Sequence, residues 1–151
     1  MKQTKEIVAT KVKFVKTPPL PPTTSPFKTM EEWLSSLCDT EKPQKSISIY
    51  HFKLLESENN AHHTLMVFGT NETRVEHGFY QENYFNPATM YYPFQKNEFE
   101  NHLTREEVLN RVTSQIKAFT NTTKFRNCFF ASAKYIITEY NGETVWRGEN
   151  L

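Results

Sequence analysis

At 151 residues the chain has the length of one ordinary domain, enough to bury about two-thirds of the surface that its unfolded form exposes. With 37% hydrophobic and 14% aromatic residues and 4 Gly, it has the material for a core, which argues against disorder. A formal net charge of +1 excludes a global field that would gather nucleic acid or an anionic membrane.

The charge is nevertheless uneven. Lys2, Lys5, Lys11, Lys13 and Lys16 face a single Glu6 in the first stretch. Between 55 and 82, Glu56, Glu58, Glu72, Glu76 and Glu82 face a single Arg74, so the middle of the fold is expected to present an acidic tract. The opening MKQTKEIVATKVKF carries charges throughout and lacks the apolar region of a signal peptide. No apolar run is long enough for a membrane-spanning helix.

In chain order, EIVATKVKFVK (6–16) alternates Val8, Thr10, Val12 and Phe14 on one side, the period of a half-buried strand. TPPLPPTTSP (17–26) is too proline-rich for a helix or a central strand and reads as an extended, rigid connector. It also matches Lys-x-x-Pro-x-x-Pro at Lys16, Pro19 and Pro22, the pattern of polyproline ligands for SH3 domains. TMEEWLSSLCD predicts a helix, with Thr29 and Glu32 as a capping box and Met30, Trp33, Leu34 and Leu37 as one apolar stripe.

SISIYHFKLLE and HTLMVFGT predict two strands joined by the polar SENNA. TRVEHGFYQENYF and TMYYPFQ predict two more, joined as a hairpin at Asn86-Pro87, where proline suits a type I turn. HLTREEVLNRVTSQIKAF carries the clearest local signal. Thr104 and Glu107 form a capping box, Leu103 and Val108 a hydrophobic staple, and Val108, Leu109, Val112, Ile116 and Phe119 one face. CFFASAKYIITEYNGETVWRG ends the chain as two strands around Asn141-Gly142. The expected class is α+β: one domain over 1–151, a mostly antiparallel sheet of about five to seven strands, and two helices packed on one face.

Few residues suggest chemistry. Cys38 and Cys128 are far apart and in no metal-like spacing, and read as reduced thiols of a cytoplasmic protein. His62 and His63 are strand neighbours that point to opposite faces and do not chelate one ion together. No H-x-x-x-H or C-x-x-C spacing, nucleophile elbow or glycine-rich phosphate loop is present. Neither a metal nor a cofactor is expected. His51 and His77, on predicted strands that meet across the sheet, leave room with Lys53 for a small hydrolase or nuclease.

GFYQENYFNPATMYYPFQ (78–95) concentrates seven of the chain's aromatic residues, with no Lys or Arg among them. Nucleic-acid platforms combine stacking rings with basic residues along the phosphates, so nucleic acid is disfavoured. In the expected hairpin Phe79 and Phe85 take one face as core. Tyr80 and Tyr84 take the other with Glu82. Tyrosine offers apolar area and a hydroxyl at little entropic cost. Tyr80, Glu82, Tyr84, Glu76 and Tyr91 are therefore the candidate partner-binding residues, suited to a basic protein partner steered by charge.

The stretch LTREEVLNRVTSQIKAFTNTTKFRNCFFASAKYII, with its helix, Lys-Phe-Arg-Asn linker and strand, is similar to the C-terminal half of some bacterial immunity proteins. These protect cells from contact-dependent inhibition toxins and other polymorphic toxins. The resemblance covers about a third of the chain and implies a non-enzymatic protein that binds a cognate toxin domain, a nuclease among the candidates. The alternatives are the His51/His77 hydrolase and a scaffold module bound through the proline-rich segment.

Overall fold

The computed structural model describes residues 12–14, 16–56, 63–76, 78–94, 103–138 and 144–148. Two helices begin where their caps predict. In α1 (Met30–Thr40) the Thr29 hydroxyl accepts from the Glu32 amide at 3.1 Å, while the Glu32 carboxylate reaches one residue further back, to the Lys28 amide. In α2 (Arg105–Thr120) the capping box is complete: the Thr104 hydroxyl accepts from the Glu107 amide and the Glu107 carboxylate from the Thr104 amide. The orphan amides of Thr104 and Glu107 in α2, and that of Glu32 in α1, are thus satisfied locally. Both predicted stripes are buried.

The strands are β1 (Val12–Lys13), β2 (Ile49–Glu56), β3 (His63–Val75), β4 (Gly78–Phe85), β5 (Tyr91–Pro93), β6 (Tyr135–Thr138) and β7 (Thr144–Arg147). They make a seven-stranded sheet in the order β1-β4-β3-β2-β6-β7, with β5 also paired to β3. Tyr50, Phe52 and Leu54 of β2 and Leu65 and Val67 of β3 enter one core with the helix stripes. The opposite face carries Ile49 and His51, beside Met66, Phe68 and Met90.

The expected α+β class with helices on one face holds, but the sheet is mixed. β1 runs parallel to β4, and β2 parallel to β6. Both are long-range pairings, for which side-chain alternation along one strand carries no signal of direction. β4 and β5 are not a hairpin. Each is antiparallel to β3, so they run in the same direction along its edge. The hairpin instead lies between β3 and β4, which close at Val75 opposite Gly78, a glycine at φ +145° where a side chain would be strained. Asn86-Pro87 opens the excursion between β4 and β5, where the Trp33 indole donates to the Thr89 carbonyl at 2.7 Å and stacks on Tyr92. The Lys-Phe-Arg-Asn linker is a short helix, α3 (Thr123–Arg126), followed by a 3-10 turn at Phe129–Ser132. These pieces send Phe125 and Phe130 into the core. The predicted turns SENNA and Asn141-Gly142 lie outside the described residues.

The cysteines depart from expectation as well. Cys38, in the last turn of α1, and Cys128, just after α3, form a disulfide with Cα atoms 5.2 Å apart and a sequence separation of 90. No spacing rule applies to a pair this distant, because only the packing of α1 beside α3 brings the two together. A loop of that length restricts the unfolded chain by roughly 4–5 kcal/mol in the chain-entropy account. Reduction should therefore lower stability by about 2–5 kcal/mol. Urea unfolding with and without dithiothreitol checks this, and coincident curves would contradict the pairing.

Candidate functional site

β4 lies between β1 and β3, and its side chains should alternate between the two faces of the sheet. One irregularity changes which residues share a face. Gly69 pairs with Phe85 but Thr70 pairs with Asn83, so Tyr84 is an extra residue in β4 and the alternation slips there. The chain packs closely at this point: a Cβ on Gly69 would lie 2.6 Å from Ile47 and 3.2 Å from the Tyr50 ring. Phe85 therefore joins Tyr50 and Phe129 on the helix side. Phe79, expected beside it in the core, lies on the other face and is 36% exposed. Gln81 and Asn83 take the buried positions there.

These polar groups are tied together. The Thr70 hydroxyl donates to Gln81 Oε1 at 3.0 Å, so it accepts from His51 Nε2 at 2.8 Å, which sets the proton on that nitrogen. Asn83 and Asn86 exchange amide hydrogen bonds at 2.8 and 3.0 Å. His51 is 2% exposed, stacked on Phe68, and its cross-strand neighbours are Phe68 and Ile137. His77 lies outside the described residues. Lys53 is exposed on β2.

The candidate partner-binding residues separate into two places. On the helix-side face of the β3–β4 hairpin, beyond the helices, the half-buried Tyr80 donates its hydroxyl to Glu82 Oε1 at 3.0 Å. The Thr73 hydroxyl approaches the same oxygen at 3.5 Å. Tyr84 at the bulge is 40% exposed, and Glu76 is exposed where β3 turns toward β4. Tyr91 is not with them. It sits on β5 against the Met66, Phe68 and Met90 cluster and donates its hydroxyl to the Pro19 carbonyl.

Sequence reasoning missed two lysines. Lys13 Nζ stands 5.4 Å from the Tyr80 ring centroid, and Lys45 Nζ 4.0 Å from that of Tyr84, both cation–π distances. Lys13 was legible in part, since the Val12 and Phe14 alternation turns it to the opposite face. Nothing in the sequence marks Lys45. The acidic tract is correspondingly weakened. Glu56 is paired with Arg105 at 2.6 Å and Glu72 with Arg74 at 3.3 Å, while Lys13 is in register with Glu82.

Comparison with protein-family models, with curated proteins and with solved structures finds no match to this chain. Among the described residues, no helix is long and apolar enough to cross a membrane.

The hydrogen bond to Glu82, with lesser contributions from burial and the Glu82 charge, holds the Tyr80 phenol above its ordinary value. Burial alone raises Tyr50 and Tyr91. In Glu82→Ala the Tyr80 pKa should fall back toward about 10, as followed by NMR titration of ring-labelled tyrosine. An unchanged Tyr80 titration would show that this contact does not form in solution.

Proposed function

We propose that the chain is a non-enzymatic binding protein that captures another protein on the β3–β4 hairpin face, in the manner of an immunity protein neutralising a toxin domain. One observation carries the reading. Tyr84 is 40% exposed and Tyr80 half-buried, and each ring meets a lysine ammonium. Tyrosines placed so bring apolar area and a hydroxyl to an interface at little ordering cost. A partner's cationic side chain takes the ring positions of Lys13 and Lys45, with Glu82 as the adjacent acceptor.

Steering by a broad acidic tract drops out of the proposal, because Glu56 and Glu72 are already paired. Glu76, exposed at the hairpin turn, is a charge available to bias encounter. The disulfide also removes the reduced thiols on which a cytoplasmic address rested, since such bonds persist in oxidising compartments.

The test is co-expression with the C-terminal domain of a large secreted protein encoded beside this chain. The chain should restore growth and bind that domain. Tyr84→Ala should cost ~1–3 kcal/mol of affinity, mainly through faster dissociation, with an unchanged melting temperature. Glu76→Lys should slow association. A Tyr84→Ala variant that binds like the parent would move the interface elsewhere, and a chain that restores no growth would remove the toxin from the proposal.

A further inference from the structure

The segment between β1 and α1 has a backbone set by covalent geometry. Thr17, Pro18, Leu20 and Pro21 each precede a proline, and Pro18, Pro19, Pro21 and Pro22 are prolines themselves. Proline holds its own φ near −65°, and clash with its ring drives the preceding residue to extended or polyproline II backbone. Residues 17–22 therefore favour a left-handed polyproline II helix of three residues per turn without help from packing. Pro19 and Pro22 then stand along one edge, with Lys16 at the bend that precedes it, and Thr17 and Leu20 along the next.

The structure displays both edges. Lys16, Thr17, Pro19, Pro22 and Thr23 are exposed, and Leu20 is 91% exposed, against 40% for Tyr84 and 36% for Phe79. Pro18, on the third edge, is half-buried. The segment is fastened along its length without being covered. The Tyr91 hydroxyl holds the Pro19 carbonyl, and Pro21, Pro22 and Thr23 line a shallow cleft with Leu55, Pro93 and Phe94. A connector that merely crosses the surface has no use for a leucine in water between two proline pairs. A ligand does, and one ordered before binding loses little entropy on docking.

We propose that residues 16–22 are a polyproline II ligand for the aromatic-lined groove of an SH3-type domain. Pro19 and Pro22 enter the groove, Leu20 packs at its rim, and Lys16 meets an acidic end. The surface is separate from the β3–β4 hairpin face and does not depend on it.

The experiment titrates the isotope-labelled full chain with a panel of purified SH3 domains, with WW and EVH1 domains alongside, and follows amide shifts and the Leu20 methyl signals. At least one SH3 domain should bind with a micromolar Kd and shift Lys16, Thr17 and Leu20. Pro19→Ala combined with Pro22→Ala should weaken that binding at least ~10-fold, as should Lys16→Glu, whose exposed side chain leaves the fold alone. Tyr84→Ala should bind like the parent. Absence of shifts with every SH3 domain at millimolar concentration would overturn the proposal. So would binding that is indifferent to both sets of substitutions, or binding to WW or EVH1 domains alone.

Discussion

β2 is hydrogen-bonded along both edges, antiparallel to β3 through eight residue pairs and parallel to β6 through four. Its side chains supply both faces of the molecule. Tyr50, Phe52 and Leu54 take the helix stripes, while Ile49 and His51 face the other way. Because a strand alternates with a period of two, a slip of one residue would exchange these sets and put the histidine among the helices. Arg105 closes the same strand to α2: its guanidinium binds Glu56 at 2.6 Å and the Leu54 carbonyl at 2.7 Å. The capped start of α2 is thereby fixed over the end of β2, and the register of β2 sets where the helix layer lies.

From that layer follows the location of the candidate surface. β3 is longer than β2, and its last residues, from Asn71 on, pair only with β4. That ribbon extends past the strand against which the helix stripes pack. The register shifts beside Gly69, which packs too closely against Ile47 and Tyr50 to carry a side chain, so that Phe85 turns inward and Tyr84 is the extra residue.

The helices were legible because their signals are local: a cap, an acidic residue three positions later, and an apolar stripe lie within one short stretch of Thr104–Phe119. The strands β2 and β7 were legible for the same reason, and β6 in part, since Phe129–Ser132 of the stretch expected to be its start is a 3-10 turn. What escaped was long-range. No property of Val12 announces that it will run parallel to Gln81, and no property of Ile49 announces Tyr135. Residues 73–85 have the composition of one strand, and a single glycine, Gly78, is the whole local signal of the turn that divides them. The face assignment of Phe79 failed because an extra residue leaves no mark on composition or period. Of the candidate site, the Tyr80–Glu82 juxtaposition was visible as i, i+2 neighbours. Lys45 and the distance of Tyr91 from the others depend on tertiary packing.

Tyr84 stands outside the core, while chemically identical residues on the neighbouring strands stand within it. Tyrosine nitration of the free, oxidised protein, mapped by peptide mass spectrometry, tests it without any partner. Tyr84, 40% exposed, should react readily, and Tyr50 and Tyr92, at 1% and 0%, should be protected until the chain unfolds. Protection of Tyr84 to the level of Tyr92 would contradict the account, because the ring would then be core.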